Sequence, residues 1–195
     1  MANPESDPLD RADMASLVAG HDAALGNLME RHAEPLFHFL CRMTNNQDEA
    51  NDLAQEAFVR AYRARASYHA EHRFTTWLYT IAANLARNHL RWRARHPAVS
   101  LDGSANDSDT SLADTLPSGA NDPSQTAEAD ERARAVRAAV ARLPDDLREA
   151  IVLCEWEEMS MAEAAVVMNT TPKAVESKLY RARKLLRERL VSDAR

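Results

Sequence analysis

The chain has 195 residues, with 30 acidic against 24 basic side chains, a net charge of −6 and only 4 glycines. That length holds one or two small domains. No apolar stretch approaches the roughly 20 residues of a membrane span, and no run of alternating β-branched residues marks a sheet.

Long Ala/Leu/Arg/Glu-rich stretches predict an all-α protein. The first residues, MANPESDPLDRADM, lack the basic start and apolar core of a secretory signal, so a cytoplasmic protein is expected. Cys41 and Cys154 each lie in an apolar helical context and read as buried thiols rather than a disulfide. No Cys/His spacing resembles a zinc site, and no cofactor is expected.

In chain order, a short helix is predicted near Asp10–Ala19. A longer one follows from Asp22 to Met43, kinked or split at Pro35. The next spans Gln47–Arg65. Along it Asp48, Glu49, Asp52 and Glu56 stand at i, i+1, i+4 and i+8, which gathers carboxylates on one side, while Leu53, Ala57 and Phe58 form the apolar side. Acids in a first turn also suit the helix dipole. The sharper reading is a docking face for a basic protein partner. Nothing nearby supplies a nucleophile for acid–base chemistry.

From Ala66 to Arg95, the aromatics Tyr68, Phe74, Trp77 and Tyr79 interleave with Arg73, Arg87, Arg91, Arg93 and Arg95. Aromatic rings stack on unpaired bases and arginines track phosphates. Trp77, Ile81 and Leu85 recur by fours and read as core. The loop Tyr68–Arg73, with His69, Glu71 and His72, is too polar for a core and suits base contact. A helix is predicted from Thr75, as N-cap, to Arg93.

Residues 96–124 form the clearest boundary. Between 96 and 128 there are six acids and no basic residue, among many Ser, Asp, Asn, Gly and Pro. Such a segment buries too little surface to offset its ordering entropy and is expected to be a flexible acidic linker. It divides the chain into domains 1–95 and 125–195. The negative charge sits in this linker. Phe58–Arg95 carries +7 and Thr171–Val191 carries +5.

In the second domain, helices are predicted near Ser124–Arg142 and Pro144–Glu158. Then comes SMAEAAVVMNTTPKAVESKLYRARKLLRERL. Ser160 and Glu163 have capping-box spacing, so a helix begins at Met161. Small Ala164, Ala165 and Val167 allow close approach of another helix. Met168-Asn169-Thr170 breaks the pattern. Thr171 is placed as N-cap and Pro172 at the first helical position. Val175, Leu179, Ala182 and Leu186 then face a core, with Lys173, Glu176, Ser177, Tyr180, Arg181 and Lys184 outside. This is the form of a helix-turn-helix, which lays its second helix in the major groove.

Together these segments resemble the extracytoplasmic-function (ECF) group of the bacterial RNA polymerase sigma-70 family. DEANDLAQEAFVRAY is similar to its polymerase-binding helix and FTTWLYTIAANLARNHLRWR to its −10 recognition helix. LPDDLREAIVL with the helix-turn-helix is similar to its −35 recognition domain. Two departures stand out: Met168-Asn169 replaces a common Leu-Gly, and Glu176 stands where a basic or neutral residue is common. The linker is also long and acidic for the group.

The resemblance implies a promoter-specificity subunit, not an enzyme, with core RNA polymerase and promoter DNA as partners and an anti-sigma protein as restraint. Neither membrane insertion nor a small-molecule substrate is implied. The core-binding residues would be Asp48, Glu49, Asp52, Leu53, Gln55 and Glu56. The −10 set would be Tyr68, His69, His72, Arg73, Phe74, Trp77, Asn84, Asn88 and Arg91. The −35 set would be Thr171, Lys173, Glu176, Ser177, Tyr180, Arg181 and Lys184. The rivals are a DNA-binding regulator that never touches polymerase and a decoy that titrates an anti-sigma. The carboxylate face argues against the first and the basic helices against the second.

Overall fold

A computed structural model describes residues 6–96 and 123–193. The expected linker lies almost wholly outside them. Every regular element among the described residues is helical.

The first unit holds α1 (Ser6–Val18), α2 (Ala23–Thr44), α3 (Gln47–Arg63), a 3₁₀ turn (Arg65–Ser67) and α4 (Phe74–Arg95). α2 runs through Pro35 unbroken rather than splitting there. The anchors Leu28, Leu36, Phe39, Leu40 and Met43 lie on both sides of the proline and are all buried, so packing outweighs the lost hydrogen bond. α2 stops at Asn45, whose left-handed φ of 55° lets its N–H donate to the Cys41 carbonyl at 2.9 Å. One residue on, the Asn46 side chain accepts from the Glu49 N–H at 3.0 Å and starts α3. α3 buries Ala50, Ala54, Ala57 and Ala61 around Phe58. These small residues bring it close against α2 and α4.

α1 is pinned by charge. Asp10 is buried and accepts from Arg31 at 2.9 Å, with His32 Nε2 at the same distance on its other oxygen, while Asp13 takes the second arm of Arg31 at 2.5 Å. Thr75, expected to cap α4, is buried inside the first turn; Arg73 holds the extended residue before the helix.

The second unit holds α5 (Pro123–Ala141), α6 (Asp145–Ile151) with a π turn (Val152–Trp156), α7 (Met161–Val167) and α8 (Pro172–Asp193). The helix expected over Pro144–Glu158 is therefore shorter. It widens at Val152 and ends at Trp156, and Glu158 beyond it takes φ 53°. Pro144 precedes it as an extended residue. Leu143, Leu147, Ile151 and Leu153 pack with Ala164, Val167, Val175, Leu179 and Ala182.

The two units are not apart. Their buried residues form one continuous core, joined where α2 meets α5 and the π turn and where α4 meets α7. Buried Arg148 fastens the joint. It donates to the carbonyls of Ala141 (2.7 Å) and Leu143 (2.9 Å) at the end of α5 and to Met43 (2.7 Å) at the end of α2. It thereby satisfies carbonyls that two helix ends leave open.

Candidate polymerase and promoter interfaces

On α3, Asp48, Asp52 and Gln55 are exposed, Glu56 is half-exposed, and helical spacing sets all four on one face. Glu56 accepts from Arg60 at 2.7 Å. Leu53 is half-buried at the edge of that face. Glu49 departs from the expectation of a free carboxylate. It turns toward α4, where Arg93 donates at 3.1 Å and His89 Nε2 lies 2.9 Å away. The reason is register: Glu49 stands one residue from Asp48, about 100° around the helix, on the side that meets α4.

The loop before α4 is closed by its own tyrosine. The Tyr68 hydroxyl donates to the His72 carbonyl at 2.9 Å, and its ring meets Trp77 edge-on at 5.5 Å. His69 and His72 are exposed, and Trp77 is half-buried. Phe74 is not available for base contact: it is 1% exposed and lies against the rings of His32, Tyr68 and Trp77. An aromatic at the start of α4 falls where that helix enters the core, which sequence spacing did not resolve. Further along α4, Asn84 and Asn88 are exposed and each is held by an arginine three residues on, Arg87 and Arg91, at 2.6 Å.

The helix-turn-helix forms as its caps dictate. The Ser160 hydroxyl accepts from the Glu163 N–H at 3.2 Å, and the Glu163 carboxylate accepts from the Ser160 N–H at 2.9 Å. Burial pushes the Glu163 carboxyl up, but the Ser160 bonds and Arg73 outweigh it and hold it below its usual range. Asn169 takes the left-handed turn at φ 49°, so the replacement of Gly is accommodated. The Thr171 hydroxyl accepts from the Ala174 N–H at 3.2 Å, which caps α8. Lys173, Glu176, Ser177, Tyr180, Arg181 and Lys184 all face solvent, and Tyr180 is 72% exposed. Glu176 is bound to Lys173 at 2.7 Å on that face. Lys178 and Arg183 turn aside to Asp146 and Glu155.

A polar contact set that sequence reasoning missed joins the units. Arg87 pairs with buried Glu149 and donates to the Val167 carbonyl at 3.3 Å. Arg73 donates to Glu163 at 3.2 Å. Buried Glu157 takes the Tyr79 hydroxyl at 2.7 Å and Arg42 at 3.4 Å. All three carboxylates belong to the second unit and all three arginines to the first. Burial pushes Glu149 up to about 7 against the pull of Arg87, and raises Glu157 against Tyr79 and Arg42. Among the described residues there is no His/Cys/Asp/Glu cluster fit for a metal ion and no helix long and apolar enough to cross a membrane.

Comparison with known proteins decides the family. The model for sigma-70 region 2 matches residues 28–96, and that for sigma-70 region 4 matches residues 133–186. The chain belongs to the sigma-70 family. Among similar proteins, the RNA polymerase sigma-H factor of Pseudomonas aeruginosa is 35% identical over 86% of both chains. The ECF RNA polymerase sigma-E factor of Haemophilus influenzae is 31% identical over 93% of this chain and 95% of its own. The solved structure of CnrH in complex with the cytosolic domain of CnrY is 27% identical, with a TM-score of 0.68 over 94% of this chain and 98% of that one.

The chain is thus a sigma factor of the ECF group, a specificity subunit of RNA polymerase. Region 2 ends with α4, which carries the arginine-rich stretch, and region 4 contains the helix-turn-helix. The acidic excess lies between residues 96 and 128, outside both matched regions, so an acidic chain keeps basic helices in region 2 and region 4.

Proposed function

We propose that the residues of this sigma factor divide as follows. Residues 1–95 dock on core polymerase through the α3 face of Asp48, Asp52, Gln55 and Glu56, with Leu53 at its edge. Glu49 contributes by holding α3 on α4. The same domain captures the −10 element with the loop Tyr68–Arg73, Trp77, and Asn84, Asn88 and Arg91. Residues 96–124 tether it to a −35 reader, residues 125–195. There Ser177, Tyr180 and Arg181 face base edges, and Lys173 and Lys184 face phosphates, with Thr171 capping the helix and Glu176 restraining Lys173.

The observation that carries this reading is the exposed α8 face, in which the outward residues are the polar and basic ones that a major groove accepts. The chain acts as a cytoplasmic specificity factor rather than an enzyme. The docked arrangement is its resting form, since Arg73 and Arg87 are engaged by region 4. The two promoter elements lie about 70 Å apart, two helical turns, so the working form needs the units separated. CnrH was solved with a protein partner; an anti-sigma protein that favours the docked form is the corresponding restraint here.

The test is reconstitution. The chain is mixed with core polymerase and transcription is run on a promoter library. Promoter-specific initiation that depends on Arg181 and on Asp48 with Asp52 supports the division. Core binding without any promoter preference overturns it.

A further inference from the structure

A cavity of about 390 Å³ lies between the two units, bounded by α2, α5 and Trp156. Val136 and Val140 of α5, Cys41 of α2 and the Trp156 ring make its walls apolar. Burial pushes the Cys41 thiol up to about 11, so that wall is uncharged. Among the described residues no carboxylate lines the cavity, whereas Arg42, Arg137 and Arg132 do, Arg132 being already engaged in an interaction of its own.

The positive charge of Arg42 and Arg137 is only partly met. Arg42 is half-buried, sits over Trp156 at 5.6 Å and has only the Glu157 carboxylate at 3.4 Å, which Tyr79 shares. Burial lowers its pKa, and Arg137 pushes the same way. Arg137 is half-buried and has no carboxylate partner among the described residues. An apolar pocket of a few hundred Å³ with convergent polar groups is the ordinary form of a small-molecule site.

We propose that this cavity binds an amphipathic anion, a medium-chain carboxylate. Its head lies between Arg42 and Arg137 and its hydrocarbon chain packs on Val136, Val140, Cys41 and Trp156. The walls come from both units, so the ligand favours the docked arrangement over the separated one. That consequence rests on the docked form being the resting form; the binding itself does not.

The probe is decanoate, compared with decanol and decyltrimethylammonium, on the full chain, read by thermal unfolding and tryptophan fluorescence. Decanoate is expected to bind saturably, at least tenfold tighter than decanol, and the cation not at all. Arg137→Ala should weaken decanoate at least tenfold and leave decanol unchanged. Arg137→Glu should shift preference toward the cation, which a purely structural role would not do. The proposal is overturned by equal binding of decanoate and decanol, by an unchanged preference in both Arg137 variants, by binding that never saturates, or by an acidic peptide that saturates the site where decanoate does not. No arm contains DNA or polymerase, so failure here leaves the proposed function standing, and failure of that function leaves the cavity's chemistry standing.

Discussion

Arg87 of region 2 and Glu149 of region 4 form an ion pair across the joint between the two units, with Glu149 3% exposed. The carboxyl is held near neutrality, up to about 7, because burial outweighs Arg87 and Lys178, with Asp146 adding to the rise. A group whose folded pKa is raised contributes stability at low pH that is lost as pH rises through that value. The docked form should therefore be most stable below the ordinary glutamate range and weaken as pH rises from about 4.5 to about 7. Glu157, raised by burial beside Tyr79 and Arg42, acts in the same direction. The expected loss is roughly 1–3 kcal/mol over that window. Thermal unfolding against pH, with parent and Glu149→Gln/Glu157→Gln chains, checks it. An equal slope in both would show that these carboxyls do not couple pH to docking.

Asp48 and Asp52 are exposed on α3, while Glu49 is tied to α4. Replacing them separates two roles. Asp48→Asn/Asp52→Asn should weaken core polymerase binding about tenfold, roughly 1.4 kcal/mol, by lost charge complementarity and without a change in melting temperature. Glu49→Ala should instead lower stability by up to about 1 kcal/mol, the scale of a partly exposed ion pair. Affinity for core and thermal unfolding, measured on both variants, give the comparison. Unchanged affinity in the double variant would move the polymerase face elsewhere.

The parts legible in the sequence were those fixed by local chemistry. Ser160 with Glu163, Thr171 with Pro172, and the spacing of Val175, Leu179 and Ala182 specify the helix-turn-helix without help from the rest of the chain. The joint was not legible. Nothing in the local pattern marks Arg148, Glu149 and Glu157 for burial, which depends on α2 and α4, more than fifty residues away. Phe74 and Thr75 were misplaced for a related reason. The polar loop before them ends where α4 enters the core, and only the tertiary position of His32 and Trp77 reveals it. Pro35 shows the opposite override, with packing on both sides keeping α2 whole.

On α8 the exposed face makes distinct demands of Lys173 and Arg181. Arg181→Ala should relax preference at one position of the −35 element, with a cost of roughly 1–3 kcal/mol on the best sequence. Lys173→Ala should weaken all sequences alike and lower the salt slope by about one. Glu176 holds Lys173 at 2.7 Å, so Glu176→Gln should free the lysine and raise affinity for unrelated DNA. Binding titrations over a range of salt and sequence distinguish the three. An Arg181→Ala protein with its −35 preference intact would mean that the helix is rotated in the groove.

If the first unit reads the −10 element as proposed, region 4 restrains it by occupying two arginines beside that surface. Glu163 takes Arg73, at the end of the base-capture loop, and Glu149 takes Arg87, which also holds Asn84. A carboxylate pair and a phosphate compete for the same guanidinium groups, and the carboxylates are tethered while the strand is not. Above the titration range of Glu149, where both carboxylates are ionised, removing both charges should therefore let the free chain bind a pre-melted −10 strand severalfold more tightly. Gln at position 163 keeps the capping box, since an amide oxygen can still accept from Ser160, so Glu163→Gln should leave α7 folded. Glu149→Gln keeps the shape of the buried side chain. The measurement is binding of a labelled single strand to the parent, the Glu149→Gln/Glu163→Gln chain, and the same chain carrying Arg73→Ala, at low and high salt. The double variant should gain most at low salt, where charge counts most, and Arg73→Ala should cancel much of the gain. Equal binding by parent and double variant would mean that docking leaves the −10 surface open.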